Sequence, residues 1–479
     1  SFSGNDANLA IVARASYSYD DRYFVTASWR RDYAGRLAKG NNYGDFPAVT
    51  AAWKLTSEKF MPKSDNLNLL KLRASFGRIG NLGSINMNYK SALLSSKNWS
   101  DSAQYGVENG NLFNGMYYYN NAVNPKLTWE TSEQLDLGVD AEFFKERLSL
   151  AVDFYNKRTF NLIQQSSMNW PGTIGLDPML VNMGEVMNRG VEVVLGWNDR
   201  VSKDFSYNLG LNFAYNKNWV SNIGVRDSEG NAGVWTNDKT YKNVPYIYQT
   251  AEGQPIGSFY VIKNLGIFQS DAEAAAYVKD GKPIQPNAKA GDLKFEDYNN
   301  DGTIDDKDRQ YIGSAAPKIN YAFNGGFAWK DLSFSFMFQG VAGAKAAYMG
   351  KYSILNDTEG SFNRAKDILN AWSPSNQGSN IPRLSKSDPN NNFTTASDWY
   401  IEDASYLRLK NVTLTYDLTN VLRKAAHFDA RASRLAIYFS GDNLVTFTKY
   451  SGMDPECGGY DALKYPVSRV LSFGVKLTY

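Results

Sequence analysis

The most chemically specific segment of the sequence is an acidic stretch at residues 297–308, DYNNDGTIDDKD. Its spacing, D-x-N-x-D-G, is typical of a calcium-binding EF-hand loop, because Ca²⁺ prefers clustered oxygen ligands and a glycine permits the sharp turn between them. The predicted ligands are Asp297, Asn299, Asp301, Thr303 through its carbonyl, Asp305 and Asp308. Asp308 is shorter than the Glu that usually closes such a loop, so the alternative is an Asn/Asp-rich turn without an ion. Calcium is expected to order the loop, not to catalyse.

Residues suited to catalysis are sparse. The single histidine, His427, lies in a predicted short connection, and the single cysteine, Cys457, lies in a predicted long loop. We find no Ser/His/Asp or Cys/His arrangement around either residue, and one of each makes a Cys/His zinc site untenable. No phosphate-binding or dinucleotide-binding glycine pattern occurs between a strand and a helix. We therefore expect that the protein is not an enzyme.

Aromatic side chains are the other group able to bind a ligand. They make up 14% of the chain, with 31 Tyr, which is more than a soluble core needs. Rings in predicted long loops are suited to stacking on sugar faces or peptide side chains, and the alternative is packing of loop on loop or contact with a partner that covers the loops. The candidate ligand-binding residues are Trp99, Tyr117, Tyr118, Tyr119, Trp170, Trp235, Trp372 and Trp399.

A second group of aromatic residues lies near the ends of predicted strands, on their apolar faces. Rings with one wet end favour the boundary between membrane and water, so these residues are interpreted as interfacial girdles, with ordinary packing as the alternative. They are Tyr17, Tyr19, Tyr23, Trp29, Trp53, Trp197, Trp329 and Tyr479.

The overall composition excludes several classes of protein. Lys and Arg total 51 against 49 Asp and Glu, so the net charge of +2 gives no argument for nucleic acid. The 479 residues contain no run of about 18 apolar residues, which excludes helical membrane spans. The first residues, SFSGNDAN, have neither the charged nor the apolar region of a signal peptide.

Apolar and polar residues alternate through most of the chain. Residues 133–143, for example, place Leu135, Leu137 and Val139 on one face and Asp136 on the other. Such alternation over about ten residues predicts long, half-buried strands. The polar faces are mostly Ser, Asn, Gly and Thr, which suits the lumen of a barrel better than a solvated surface. We therefore predict an all-β fold, a large antiparallel transmembrane β-barrel. The alternative is a soluble secreted β-rich protein that binds or processes glycans, in which the apolar faces are buried.

Short and long connections between the predicted strands alternate. The short ones are the turns at 20–21, 145–146, 198–204, 252–255 and 330–331 and two short helices at 57–61 and 418–425. The long ones are 33–46, 81–124, 161–187, 217–241, 269–318, 340–399 and 445–465. This layout predicts short periplasmic turns, long extracellular loops and about fifteen strands. The alternation is blurred at residues 406–410, where a β-bulge is expected.

Several segments resemble signature stretches of the SusC-like, TonB-dependent outer-membrane transporters. The segments are 124–140 (NPKLTWETSEQLDLGVD), 188–191 (NRGV), 253–268 (GQPIGSFYVIKNLGIF), 291–313, 405–413 (SYLRLKNVT) and 473–479 (FGVKLTY). They follow in the family's order, and the resemblance covers nearly the whole chain.

The resemblance implies a location in the outer membrane of a Gram-negative bacterium, in contact with lipid. It implies a barrel of about 22 strands around a plug domain, with a SusD-like lipoprotein as a lid and a TonB complex that acts on an N-terminal box. Import of glycans or peptides is the implied function, and a dimer of transporter–lid pairs is one assembly it allows. Residues 1–479 would then be the C-terminal part of the barrel, without plug, TonB box and first strands. Residues 269–318 would be an extracellular loop that carries the calcium motif.

Overall fold

The computed structural model describes residues 7–83, 124–165, 179–225, 247–358, 363–426 and 434–478, with short pieces between residues 94 and 119 and between residues 230 and 244. Within this part of the chain, no helix is long and apolar enough to cross a membrane.

Thirteen long strands of the described residues form one sheet, in which the spatial order follows the chain order. Neighbours such as the first and second strands pair antiparallel, from Asn8 opposite Ala34 to Tyr19 opposite Tyr23. The strands are β1 (Asn8–Tyr19), β2 (Tyr23–Ala34), β3 (Tyr43–Lys54), β4 (Leu67–Asn81), β5 (Glu130–Phe143), β6 (Leu148–Phe160), β7 (Glu185–Arg200), β8 (Phe205–Asn222), β9 (Ile319–Trp329), β10 (Leu332–Ala342), β11 (Tyr406–Asp417), β12 (Arg434–Thr448) and β13 (Val470–Thr478). The predicted all-β, antiparallel fold is confirmed.

The apolar faces of these strands are exposed. Leu135 is 44% exposed, Leu137 is 50% exposed and Phe213 is 36% exposed. In a soluble sandwich these side chains would pack against a second sheet. Their exposure contradicts the alternative of a soluble β-rich protein and fits strands that present their apolar faces to lipid.

Short connections join the strands at one end of each hairpin. Asp20 and Asp21, between β1 and β2, both have φ near 52°, the left-handed conformation that tight hairpin turns require. A short 3-10 helix at Leu55–Ser57 precedes β4, slightly before the predicted helix at 57–61. The helix α3 (Thr419–Ala426) confirms the helix predicted at 418–425.

The described residues contain thirteen strands in the main sheet, where the sequence predicts about fifteen for the chain. The predicted connections at 217–241, 252–255 and 269–318 imply two membrane strands between them. They contribute instead to small sheets within the connection between β8 and β9. Tyr248–Thr250 and Ser258–Ile262 belong to a four-stranded sheet with Trp235–Asn237 and Arg309–Ser314. Phe259 and Val261, together with the adjacent Ser258 and Ile262, are buried, so both faces of this strand are covered. An apolar run of this length does not distinguish a strand facing lipid from one in a water-soluble core.

The bulge expected at residues 406–410 is confirmed. Leu409 pairs with Phe338 and Asn411 pairs with Met337, so Lys410 is the extra residue of β11. The register also shifts against β12, where Asn443 and Leu444 together lie opposite Lys410. The extra residue explains why the alternation of the sequence breaks there.

The chain divides into two compact units. The first comprises Ser1–Ala141, Asp153–Gly190 and Asn218–Gly233, and the second comprises Glu142–Val152, Val191–Lys217 and Val234–Tyr479. A small hydrophobic cluster of the first unit contains Leu37, Leu127, Ile163 and Leu180, all in long connections. The large hydrophobic clusters of the second unit also lie mainly in long connections. The residues that form cores are therefore mainly those of the loops.

Small elements organise these connections. The two-stranded sheets are Leu94–Ser96 with Tyr117–Tyr119, Val107–Glu108 with Asn111–Leu112, Ile163–Gln165 with Leu180–Asn182, Asn264–Ile267 with Leu293–Phe295, and Val278–Lys279 with Lys282–Pro283. A three-stranded sheet contains Ile401–Asp403, Lys345–Tyr348 and Tyr460–Asp461. The helices are α1 (Asp271–Ala276), α2 (Gly350–Ile354) and 3-10 helices at Asp306–Asp308, Lys366–Asn370 and Asp398–Tyr400.

Candidate functional site in the long connections

The long connections of the second unit share one hydrophobic cluster, which we call the loop core. Its largest side chains, Phe259, Phe295, Tyr352, Phe393 and Tyr400, are almost fully buried. Full burial of one such side chain stabilises a fold by roughly 1.5–3 kcal/mol. The connections between β8 and β9 and between β10 and β11 therefore form one ordered body.

A buried ion pair joins these two connections. Asp292 is fully buried, and its carboxylate accepts hydrogen bonds from Arg383 Nε at 2.8 Å and Nη2 at 3.1 Å. Asn392 Nδ2 donates to the same carboxylate at 2.9 Å. A buried carboxylate without partners would be strongly destabilising, so these donors are required for the loop core to close.

A second polar contact reaches the connection between β12 and β13. Glu402 Oε1 lies 2.6 Å from Lys351 Nζ, and Ser451 donates to Glu402 through its backbone N at 2.8 Å and its hydroxyl at 2.7 Å. Burial by itself would raise the pKa of Glu402, but the Lys351 ammonium and the Ser451 hydrogen bonds lower it below its usual value. Glu402 is therefore held as a carboxylate that links two long connections.

The acidic stretch at 297–308 folds as a tight turn that leads into a 3-10 helix. Asp297 accepts backbone N–H groups from Asp301 at 3.0 Å and Gly302 at 2.9 Å, and Gly302 has φ +89°. Asp308 is fully buried and accepts from the backbone N of Tyr298 at 2.9 Å and of Asp305 at 2.8 Å. The sharp turn predicted at Gly302 is present.

The predicted calcium ligands are not gathered into a preformed metal site. Among the described residues, no three Asp, Glu, His or Cys side chains are grouped in a way that could hold a metal ion. The Lys307 ammonium lies 3.9 Å from carboxylate oxygens of both Asp301 and Asp305. Hydrogen bonds from Thr303 and Asn299 lower the pKa of Asp301, and Lys307 adds to the effect. In this arrangement a cationic side chain balances the acids, and calcium binding stays a prediction.

The loop aromatics that the structure describes are part of the packing. Trp372 is 9% exposed and donates its indole N–H to Gln269 Oε1 at 3.1 Å. Trp399 is 8% exposed, donates to the Asn380 carbonyl at 2.8 Å and contacts Tyr400 edge-on. Both therefore follow the alternative of loop-on-loop packing. The side chains of Trp99, Tyr117, Tyr118, Tyr119, Trp170 and Trp235 lie outside the described residues, as do His427 and Tyr479.

Cys457 lies in the connection between β12 and β13, as the sequence predicts, and is buried. Burial raises the pKa of the Cys457 thiol, so the thiol stays protonated at neutral pH. This is the state of a structural cysteine, not of a nucleophile.

Aromatic residues near the short turns are arranged as a girdle would be. Tyr23 and Trp53 stack with 6.3 Å between ring centroids. Glu58 accepts the Tyr23 hydroxyl at 2.6 Å and the Trp53 indole N–H at 3.0 Å. Tyr17, Tyr19 and Trp329 are exposed. Rings with polar ends near the turns are typical of a membrane boundary.

Comparison with known proteins decides the family. Residues 1–444 match the family model described as TonB dependent receptor-like, beta-barrel. The chain belongs to this family. It is 30% identical to the TonB-dependent receptor P3 of Formosa agariphila, over 98% of this chain and 45% of the relative. It is 28% identical to the TonB-dependent receptor SusC of Bacteroides thetaiotaomicron, over 98% of this chain and 44% of the relative. The solved structure of the RagAB peptide transporter matches with a TM-score of 0.78 and 26% identity, over 99% of this chain and 48% of that chain.

This membership confirms the resemblance read from the sequence motifs. The chain is a SusC-like TonB-dependent receptor β-barrel of the outer membrane, from a family of receptors and not of enzymes. The chain spans about half the length of the curated relatives it matches.

Proposed function

We propose that the chain is the C-terminal part of the barrel of an energy-coupled importer of peptides or oligosaccharides. The likeness to the RagAB peptide transporter supports this proposal, because it extends over 99% of the chain at a TM-score of 0.78. The same likeness favours peptides over oligosaccharides. In this proposal the plug domain, the TonB box and the first strands come from sequence outside these 479 residues.

A SusD-like surface lipoprotein is the proposed lid, and it would cover the outer surface of the long connections that pack around the loop core. The support is physical: three long connections are fused into one ordered body by Asp292, Arg383 and Glu402. An ordered body presents a fixed surface and loses little entropy on binding a partner. A dimer of transporter–lid pairs is compatible with this arrangement.

Uptake by the native bacterium tests the transport proposal. The intact gene is deleted, and the accumulation of isotope-labelled oligopeptides and of labelled oligosaccharides is measured with and without a protonophore. We expect loss of energy-dependent uptake of one of the two classes, restored by the intact gene. Unchanged uptake of both classes would refute the proposal.

Purification from outer membranes in mild detergent tests the lid proposal separately. We expect a surface lipoprotein to co-purify in a one-to-one ratio with the tagged intact protein. Arg383→Met removes the ion pair with the buried Asp292 and should weaken this association. Purification of the wild type without any lipoprotein would reject the lid.

We further propose that Ca²⁺ binds at residues 297–308 and orders this part of the loop. The spacing of Asp297, Asn299 and Asp301 and the turn at Gly302 support it. Lys307 would have to move aside, since its ammonium and a cation compete for the same carboxylates.

A further inference from the structure

A row of charged residues crosses the apolar face of the sheet in the first unit, and we call it the charged row. It lies on β2 to β7, close to the strand ends that lead into the long connections. The charged row consists of Arg31, Asp45, Arg78, Glu133, Arg158, Glu185 and Arg189.

Six of the seven members of the charged row, all except Arg189, contact one another across strands. Arg31 lies opposite Asp45 and donates to it twice, at 2.8 Å and 2.7 Å. Further along, Arg158 lies 3.4 Å from Glu133 and 2.5 Å from Glu185. These contacts hold the guanidinium groups against the sheet and fix their positions.

Further polar contacts continue from both ends of the group formed by Glu133, Arg158 and Glu185. Arg78 Nη2 lies 2.9 Å from Glu133, and the Ser221 hydroxyl donates to Glu185 at 2.7 Å. Polar contacts therefore run without interruption over five neighbouring strands, from β4 to β8.

The charged row shares its face with apolar residues. On β2, Arg31 alternates in phase with the exposed Val25 and Trp29, and on β5, Glu133 is in phase with the exposed Leu135. Side chains two residues apart in a strand point to the same face of the sheet. The row therefore faces the lipid and not the lumen.

The height of the row corresponds to the outer membrane boundary. Arg31 lies eight residues beyond Tyr23 of the girdle. At roughly 3.4 Å per residue this is about 27 Å along the strand, or about 21 Å across the membrane at a tilt of about 40°. The apolar band of such barrels is about 25 Å tall. The row thus lies within a few ångströms of the outer edge of the apolar band, from which long arginine side chains reach the outer-leaflet headgroups.

Aromatic rings accompany the arginines at this level. The Arg31 guanidinium lies 4.9 Å from the centre of the Tyr43 ring, and that of Arg158 lies 4.7 Å from the Phe160 ring. Arg189 lies 5.8 Å from the Trp219 ring and donates to Asn156 Oδ1 at 3.2 Å. Flat cations stacked on rings keep their N–H edges available to an anion.

We propose that the charged row binds the phosphate groups of a phosphorylated glycolipid in the outer leaflet. A guanidinium carries five N–H donors in a plane, and a bidentate carboxylate occupies two of them, so donors remain for phosphate. The charges also favour an anion, because four arginines face three acids. Arg189, whose described contacts are an amide and a ring, is the central anchor.

A pair of matched variants tests the proposal on the intact protein purified from outer membranes in mild detergent. Arg31→Gln/Arg189→Gln removes two charges from the lipid-facing side. The control Arg14→Gln/Arg30→Gln removes two charges from the opposite face of β1 and β2. Arg31 is partly exposed and Arg14, Arg30 and Arg189 are exposed, so both variants are expected to fold, which heat-dependent gel mobility verifies.

The measurement is bound phosphorylated glycolipid per protein, by native mass spectrometry and phosphate analysis. We expect about a 25-fold loss for Arg31→Gln/Arg189→Gln, since each basic residue near anionic headgroups contributes about a factor of five. The control should retain the wild-type amount. Equal retention by both variants would overturn the proposal.

A second measurement separates phosphate recognition from binding of acyl chains. Delipidated protein is titrated with the phosphorylated glycolipid and with the same glycolipid after removal of its phosphates. Tighter binding of the phosphorylated form, reduced in Arg31→Gln/Arg189→Gln, supports the proposal. Equal binding of the two forms would contradict it, whatever the protein transports.

Discussion

Arg383 clamps the buried carboxylate of Asp292 across 91 residues of sequence, with bonds of 2.8 Å and 3.1 Å. The two residues lie in different long connections of the barrel. No pattern in the sequence predicts this pair. The pair nevertheless holds together the surface that we propose as the site of the lid.

Arg383→Met should open the loop core. Removal of Arg383 leaves the buried Asp292 carboxylate with hydrogen bonds but no countercharge, which costs about 3–5 kcal/mol. We expect rapid protease cleavage in the long connections, measured on intact cells, while the barrel stays resistant. Lys263→Met is the matched control, because its pairing with Glu296 is at the surface and is worth less than about 1 kcal/mol. Equal protease resistance of both variants and the wild type would argue against the clamp.

Glu402 should make the loop core sensitive to acid. Its pKa in the folded protein is below the ordinary value of 4.5, so the carboxylate stabilises the fold above that pH. The contribution is lost as the pH falls through the lowered pKa of the folded state. Protease susceptibility of the loops should therefore rise below about pH 4.5.

The variant Glu402→Gln isolates this effect. The amide keeps an acceptor for Ser451 but loses the charge beside Lys351. We expect a variant that is less stable at neutral pH and whose loop cleavage depends less on acid. If the pH dependence of loop cleavage were the same in the variant and the wild type, groups other than Glu402 would be responsible for the acid sensitivity.

The strands were predictable where one face meets lipid and the other meets small polar residues. In β8, for example, Leu209, Leu211 and Phe213 alternate with polar or small residues, and the strand forms as predicted. The bulge at Lys410 was also predictable, because an extra residue breaks the alternation. These features depend on local pattern alone.

The loop core was not predictable in the same way. Ser258–Ile262 belongs to an apolar run that suggests a membrane strand, but it forms a strand of only five residues that is covered on both sides. Asp292 and Arg383, or Lys351 and Glu402, meet only after the connections have folded together. Contacts between residues that lie so far apart carry no signal in a single sequence.

Calcium should stabilise the loop around Gly302. An ion that binds the folded loop alone adds about 2.7 kcal/mol at a concentration of 100 times its dissociation constant. We expect Ca²⁺ to protect residues 297–308 of the intact protein from proteolysis and EDTA to remove the protection. Asp301→Asn should abolish the difference.

Asp280→Asn is the control for the calcium experiment. Asp280 is exposed and stands outside the predicted ligand set. The control should respond to Ca²⁺ as the wild type does. Identical cleavage of the wild type with Ca²⁺ and with EDTA would leave the stretch as an Asn/Asp-rich turn.

Gly80 on β4 should not tolerate a side chain. A Cβ at this position would run into the ring of Phe46 on β3, which is buried against Trp129 with 5.5 Å between ring centroids. Gly80→Ala should therefore lower the stability of the purified protein by about 1–3 kcal/mol through overpacking, measured as a lower unfolding midpoint in detergent. Gly378→Ala, where a Cβ has open space, should leave the midpoint unchanged. In a Phe46→Leu background, Gly80→Ala should lower the stability by less than it does alone, because the smaller Leu side chain leaves room for the new methyl group. Additive losses in the double variant would show that the two residues do not interact.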